Sequence, residues 1–212
     1  MLILARHGRT GANAAGELLG RRDPALDDVG HSQAAALGEL ISASAKGVGA
    51  ARFDPVVISS PLLRCRETAA LICDRMRGNT APIIEERFIE IDYGDLEGLR
   101  VSEVKPEAWR RWQADAEWSP GGGETLGDVS RRVSEALDEL AGRDAIVVTH
   151  VSPIKAAVGW VIGCGPDIAW KCHVAQASVH RIDNSGRIPR LISFNETHHL
   201  DSGRIAADSQ GS

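Results

Sequence analysis

The chain has no apolar run long enough to cross a membrane, no Cys-x-x-Cys pair and no Gly-Lys-Ser/Thr phosphate loop. Each absence removes a class. The first excludes a helical membrane protein. The start of the chain enters an apolar strand at once, without the charged, apolar and cleavage regions of a signal peptide, so a cytoplasmic protein is expected. The four cysteines, Cys65, Cys73, Cys164 and Cys172, fall in two pairs eight residues apart, which is not a zinc spacing. They read as ordinary buried thiols of a reducing compartment, Cys172 beside His173 included, and no metal is expected. Basic residues are not in excess: 24 Lys+Arg face 29 Asp+Glu, a net charge of -5. A general nucleic-acid binder would be basic. An anionic small substrate stays open, because a few arginines in a cleft can set the local field. There is no repeat and no linker, so 212 residues at 43% hydrophobic read as one domain over residues 1–200. The small, polar stretch Asp201 to Ser212 is expected to be a disordered tail.

What is present begins at Leu2-Ile3-Leu4-Ala5, a buried strand that delivers Arg6, His7 and Gly8 at its end. In an open α/β sheet, chemistry sits beyond the carboxyl ends of strands. Arginine grips phosphate or carboxylate through two parallel hydrogen bonds. Histidine serves as a nucleophile or an acid–base group, and Gly8 would let the backbone approach a ligand. Three residues also fit an incidental surface histidine, so the rest of the chain has to decide.

A polar loop from Gly16 to Asp28 leads to a helix over Val29 to Ser42, ended by Gly47 and Gly49. Pro55 to Ser59 is a second buried strand, and Pro61 opens a helix from Leu62 to about Arg77, with Leu63, Thr68 and Leu71 inward. Arg64 in its first turn shares the sheet edge of Arg6 and His7; Arg66 reads as solvated. After the short strand Ile83-Ile84, the stretch Glu86 to Gly98 is acidic and turn-rich, with embedded Phe88, Ile89, Ile91 and Tyr93 that would pack it back onto the body. A carboxylate shielded there suits a general acid, and Glu90, Asp92, Asp95 and Glu97 all compete. Trp109 and Trp112 share a helix face, which favours core packing over a substrate platform. The loop Gly121 to Glu124 either brings backbone N–H groups to a ligand or serves as a connector. The helix behind it runs from Thr125 or Asp128 to Leu140, with Val129, Val133, Leu137 and Leu140 inward. Ala145 to Thr149 is the strongest buried strand and ends in His150, followed by a helix from Ile154 to Ile162. Ala177 to Ile182 and Arg190 to Phe194 form a hairpin around Asn184-Ser185-Gly186. Two histidines and two arginines thus leave three separate strand ends on one edge.

These motifs resemble the histidine phosphatase superfamily, also called the phosphoglycerate mutase-like family, collinearly over about residues 2 to 200. Arg6-His7-Gly8 is similar to its signature, and Asn13 stands six residues past the nucleophilic histidine, as in the family. Ser59 to Ala69 resembles the segment of its second phosphate-binding arginine, here Arg64. Glu90 to Gly98 is similar to its acid block, which selects Glu90, and Val148-Thr149-His150 resembles the second catalytic histidine. Pro120 to Thr125 is similar to its Pro-Gly-Gly-Glu-Ser segment with one glycine more. There are departures. Arg9 replaces Glu or Gln and would add a positive charge at the mouth. Val151 follows His150 in place of Gly, as in the α-ribazole phosphatase-like branch. Only about twenty residues, Leu99 to Pro120, fill a gap where mutases carry a long insertion, and this favours phosphatases.

The resemblance implies an α/β fold, a three-layer α/β/α sandwich around a mostly parallel central sheet. It implies a metal-independent phosphomonoesterase without a cofactor. His7 would form a phosphohistidine; Arg6, Arg64, His150 and Asn13 would hold the phosphate; Glu90 would be the acid. The substrate would be a small phosphorylated metabolite, and a homodimer is a further expectation. The alternatives are mutase-type phosphoryl transfer and a non-catalytic phospho-ligand binding protein. Specificity would come from Arg9, the Gly16 to Pro24 loop, the Trp-bearing stretch and the Gly121 to Glu124 loop.

Overall fold

A computed structural model describes residues 1–47, 53, 55–76 and 81–200. The expectations for Gly49 and Arg77 as helix ends, and for the tail from Asp201 to Ser212, lie outside the described residues. Six strands form one sheet: β1 (Leu2–Arg6), β2 (Val56–Ser59), β3 (Ile83–Ile84), β4 (Ala145–Thr149), β5 (Val179–Asp183) and β6 (Arg190–Glu196). Their order is β3-β2-β4-β1-β5-β6. Strands β1 to β4 are parallel, β5 is antiparallel to β1, and β6 is antiparallel to β5, so β5 alone runs against the other described strands.

The layers follow from the period of two in the buried strands. On one face Ile3, Ala5, Ile146 and Val148 meet α2 (Asp28–Gly47) and α3 (Leu63–Arg75) through Leu37, Ile41, Cys65 and Ile72. On the other, Leu2, Leu4, Ala145 and Val147 meet α5 (Leu126–Glu139) and α6 (Val151–Ile162) through Val133, Leu137, Ile154 and Ala157. Burying a Leu, Ile or Val side chain is worth about 1.5–3 kcal/mol, so two such faces secure the sheet from both sides. The three-layer α/β/α architecture is the one expected.

Several local readings change. The inward face of α3 is Cys65, Thr68, Ala69, Ile72 and Cys73 together with Arg64; Leu63 and Leu71 are only half-buried. Of the four thiols, Cys164 is exposed and Cys172 half-buried. The stretch after β1 holds a four-residue helix, α1 (Gly11–Ala14). Thr10 caps it in a reciprocal box with Asn13, an arrangement more often made with Glu or Gln. The Trp-bearing stretch contains α4 (Pro106–Ala114), opened by its proline. The last helix of the parallel units, α6, begins directly at Val151, earlier than Ile154, and has no side-chain cap from His150.

Candidate active site

The sheet register brings the site together. Arg6 pairs with Thr149 and Ser59 with Val148, so His7 and His150 leave adjacent strands at one level, and Ser60 leaves the next strand one residue short of it. The His7 N–H donates to the Thr149 carbonyl at 3.1 Å, and the Ser60 N–H to that of Val148 at 3.0 Å. A cavity of about 610 Å³ opens beyond this edge, and its wall includes Arg6, His7, Asn13, Arg64 and Glu90. His150, fully buried, packs one step behind that wall, with ring centroids 5.1 Å from His7.

His7 is 3% exposed. Its Nδ1 lies 2.6 Å from the Gly8 carbonyl oxygen, which can only accept, so Nδ1 carries the proton. That leaves Nε2 as a bare lone pair. Burial and the charges of Arg64 and Arg6 hold the His7 pKa well below its usual 6.5. His150 is depressed by the same causes, burial first, and its Nε2 meets Ser60 Oγ at 2.7 Å.

Arg64 is 1% exposed, an unusual burial for a guanidinium. It donates to the carbonyls of Gly20 at 2.8 Å and Arg22 at 2.7 Å. Those carbonyls are aimed by Glu97, whose carboxylate accepts from the N–H groups of Arg21 at 2.7 Å and Arg22 at 3.2 Å. So Glu97, one of the four competing acids, holds the loop that orients Arg64. Arg6 donates to the Val174 carbonyl at 2.7 Å, and burial lowers its pKa to about 10, leaving it charged at neutral pH. The Nε atoms of Arg6 and Arg64 are buried and have no partner among the described residues. Donors of that kind call for an acceptor.

Glu90 is 6% exposed, whereas Asp92 and Glu97 are half-buried and Asp95 is exposed. Phe88 and Ile91 anchor the block in the core, as the apolar residues in it predict, and Thr149 Oγ1 donates to the Phe88 carbonyl at 2.6 Å. The Glu90 carboxylate accepts three backbone N–H groups: Ile91 at 2.9 Å, Ser152 at 3.1 Å and Val151 at 3.2 Å. Two of these are the free N–H groups of the first turn of α6, so Glu90 supplies the cap that His150 does not.

Three expectations are corrected. Gly8 serves a close backbone approach to Gly30, whose carbonyl oxygen a Cβ would strike, rather than an approach to a ligand. Arg9 turns to Asp27, with Nε 2.8 Å from its carboxylate, and does not stand on the cavity wall. The Gly121 to Glu124 loop packs against the acid block: the Glu124 N–H donates to the Asp92 carbonyl at 2.9 Å, and Gly121, at φ 59°, lies against Asp95. Its glycines are needed for that contact. The Gly16 to Gly20 segment does line the cavity, as expected, and so do Trp109 and Trp112, stacked with centroids 5.6 Å apart. Sequence reading missed Tyr93, Lys155, Trp170 and His173 on the same wall. The one available signal was helical spacing, which sets Lys155 on the face of α6 that carries Val151 and Ser152.

The buried histidines make acid stability a test of this geometry. His7, His150 and His180 (the last lowered to about 3, chiefly by burial) stay neutral in the fold below the pH at which the unfolded chain takes up their protons. Above about pH 6.5 the difference vanishes; below it stability falls with pH, by about 1.4 kcal/mol per unit for each histidine and about 4 for three. Urea unfolding between about pH 7.5 and pH 5, above the carboxylate range, should show this decline. A flat profile would contradict the burial of these rings.

A mostly parallel α/β sheet that gathers two arginines, a neutral histidine and a shielded carboxyl at its strand ends defines a class of oxyanion-handling α/β proteins. The profile of the histidine phosphatase superfamily (branch 1) matches residues 2–197, and the chain belongs to that family. Three mycobacterial relatives, among them a Mycobacterium tuberculosis protein named as bifunctional, are 32% identical over 84% of this chain. That match is 48% of their length, so the chain spans about half of them. Phosphoserine phosphatase 1 of Hydrogenobacter thermophilus is 33% identical, over 97% of each chain. A 2,3-bisphosphoglycerate-dependent phosphoglycerate mutase of a Methylobacterium species is 35% identical over 74% of this chain and 78% of its own. Among solved structures, a mutant phosphoserine phosphatase of Entamoeba histolytica in complex with phosphoserine superposes with a TM-score of 0.82 at 25% identity, covering 94% of this chain and 98% of that one.

Proposed function

We propose that the protein is a phosphomonoesterase that hydrolyses a small phosphorylated metabolite through a phosphohistidine on His7. The observation that carries this reading is the Nδ1 contact of His7: the Gly8 carbonyl accepts a hydrogen bond from Nδ1–H, which leaves the Nε2 lone pair free in the field of Arg64 and Arg6. In the first step Nε2 attacks phosphorus, the N–P bond forms, the P–O bond to the alcohol breaks, and Glu90 gives its proton to the departing oxygen. In the second step Glu90 takes a proton from water as that water attacks phosphorus. The N–P bond then breaks, inorganic phosphate leaves, and both residues return to their starting forms. Arg6 and Arg64 hold the equatorial oxygens through the guanidinium N–H groups that the Val174, Gly20 and Arg22 carbonyls leave free. Asn13, whose Oδ1 is held by Thr10, offers its amide N–H groups, and His150, expected from the family resemblance to hold the phosphate as well, packs edge-on against the His7 ring. Phosphoryl transfer needs mainly positioning and charge stabilisation; the two guanidinium charges supply it without a metal ion in this scheme.

The test is phosphate release from 3-phosphoglycerate, glucosyl-3-phosphoglycerate, phosphoserine and α-ribazole phosphate, with EDTA present. Release at an undiminished rate is expected. No release from any ester, or release abolished by EDTA, would overturn the scheme. The Methylobacterium relative favours a second reading, return of the phosphoryl group to substrate. Formation of 2-phosphoglycerate from 3-phosphoglycerate faster than release of phosphate would select that reading.

A further inference from the structure

The residues assigned to the phosphate, Arg6, His7, Asn13 and Arg64, account for only part of the cavity wall. Lys155 lies elsewhere on its wall, on α6, three and four residues past Ser152 and Val151. Residues so spaced share a helix face, with an axial offset of about 4.5–6 Å at 1.5 Å per residue. Val151 and Ser152 are the residues whose N–H groups hold Glu90. Lys155 is therefore one helical turn beyond the N–H groups that hold the proposed proton donor, on the same cavity wall.

The environment of Lys155 is that of a cation prepared for an anion. The side chain is half-buried, and this burial lowers its pKa. Its one hydrogen bond among the described residues goes to a neutral group, the Ala169 carbonyl, at 2.7 Å. A partly desolvated ammonium with only a carbonyl partner is under-compensated. With Arg6 and Arg64 given to the phosphate, Lys155 is the remaining lysine or arginine on the described cavity wall. One ammonium with a donor already used matches a single carboxylate charge; a second phosphate dianion would call for a larger cationic cluster such as the two arginines provide.

We infer that Lys155 is a specificity-determining residue that binds a carboxylate on the leaving-group side of the ester, so that the substrate is a phosphorylated hydroxy acid. This rests on the phosphatase reading above and narrows it. In such an ester the carboxylate stands two carbons from the oxygen that Glu90 would protonate, a reach on the scale of the one-turn offset between Lys155 and the residues that hold Glu90. Trp109 and Trp170 line the same cavity and would face any further substituents of the acid.

Matched esters test the inference. O-phosphoserine and O-phosphoethanolamine differ by one carboxylate, as do 3-phosphoglycerate and glycerol 3-phosphate. A charge-assisted hydrogen bond predicts that kcat/KM favours the carboxylate member of each pair by about 10- to 100-fold in the wild type. In Lys155→Met that ratio should fall at least about tenfold, mainly through KM. Lys155→Gln, which keeps a donor for the Ala169 carbonyl, should lose the ratio as well, and thermal melts establish that both variants fold. No preference in the wild type, or a preference that survives both substitutions, would overturn the inference and leave the phosphatase intact. Absence of phosphate release from every ester, p-nitrophenyl phosphate included, would overturn the phosphatase reading and this inference with it.

Discussion

His7→Ala should abolish turnover, a loss of at least about 10⁴-fold in kcat, because it removes the atom that forms the covalent intermediate. Binding should outlast chemistry. Arg6 and Arg64 are oriented by the carbonyls of Val174, Gly20 and Arg22, none of which depends on the imidazole. The variant should therefore still take up a phosphomonoester in calorimetry while releasing no phosphate. In the wild type, rapid quench with a labelled ester should trap a phosphoenzyme with the acid lability and alkali stability of an N–P bond, and His7→Ala should give none. Near wild-type release from the variant, or an alkali-labile phosphoenzyme, would remove His7 from the role of nucleophile. The pH profile should agree. Burial and two flanking guanidinium charges keep His7 neutral well below its usual range, so no loss of activity between about pH 7 and 6 should come from its protonation.

The contribution of sequence to this picture differs from element to element, for a physical reason. Strands β1, β2 and β4 were legible because both their faces are buried, so each reads as a continuous apolar run broken by a polar loop. The convergence of Arg6, His7, Arg64 and His150 followed from parallel topology alone, since strand ends of one sheet share an edge. Glu90 could not be told from Asp92, Asp95 and Glu97 by spacing. What distinguishes it is two N–H groups 61 and 62 residues later in the chain. Its identification came from the family resemblance. The aiming of Arg64 likewise depends on carbonyls 42 and 44 residues away.

Arg9 shows the opposite failure. An arginine next to a catalytic motif reads as an extra positive charge at the mouth until Asp27, eighteen residues on, is seen to hold it. The glycine-rich loop failed in the same way, because glycine signals a close approach without naming what approaches. In both cases the decisive partner is distant in sequence, and local pattern carries no trace of it.

Glu90→Gln is the sharper test of mechanism because it changes little else. Gln can keep one oxygen for the Ile91 and Ser152 N–H groups, but its amide then faces the Val151 N–H, donor against donor. One buried unsatisfied N–H costs about 1–3 kcal/mol, so the variant should fold with lowered stability. With alkyl phosphates kcat should fall about 10²- to 10⁴-fold, the range for a single general acid. The two steps then separate by leaving group. p-Nitrophenolate departs without needing a proton, so the first step should be nearly spared with p-nitrophenyl phosphate. The second step still lacks a base to draw a proton from water. Stopped-flow traces of Glu90→Gln should therefore show a burst of nitrophenolate close to one equivalent per site, followed by slow turnover. An equal loss for both leaving groups with no burst would mean that Glu90 acts only by holding the first turn of α6. In that case the proton must come from another group on the cavity wall.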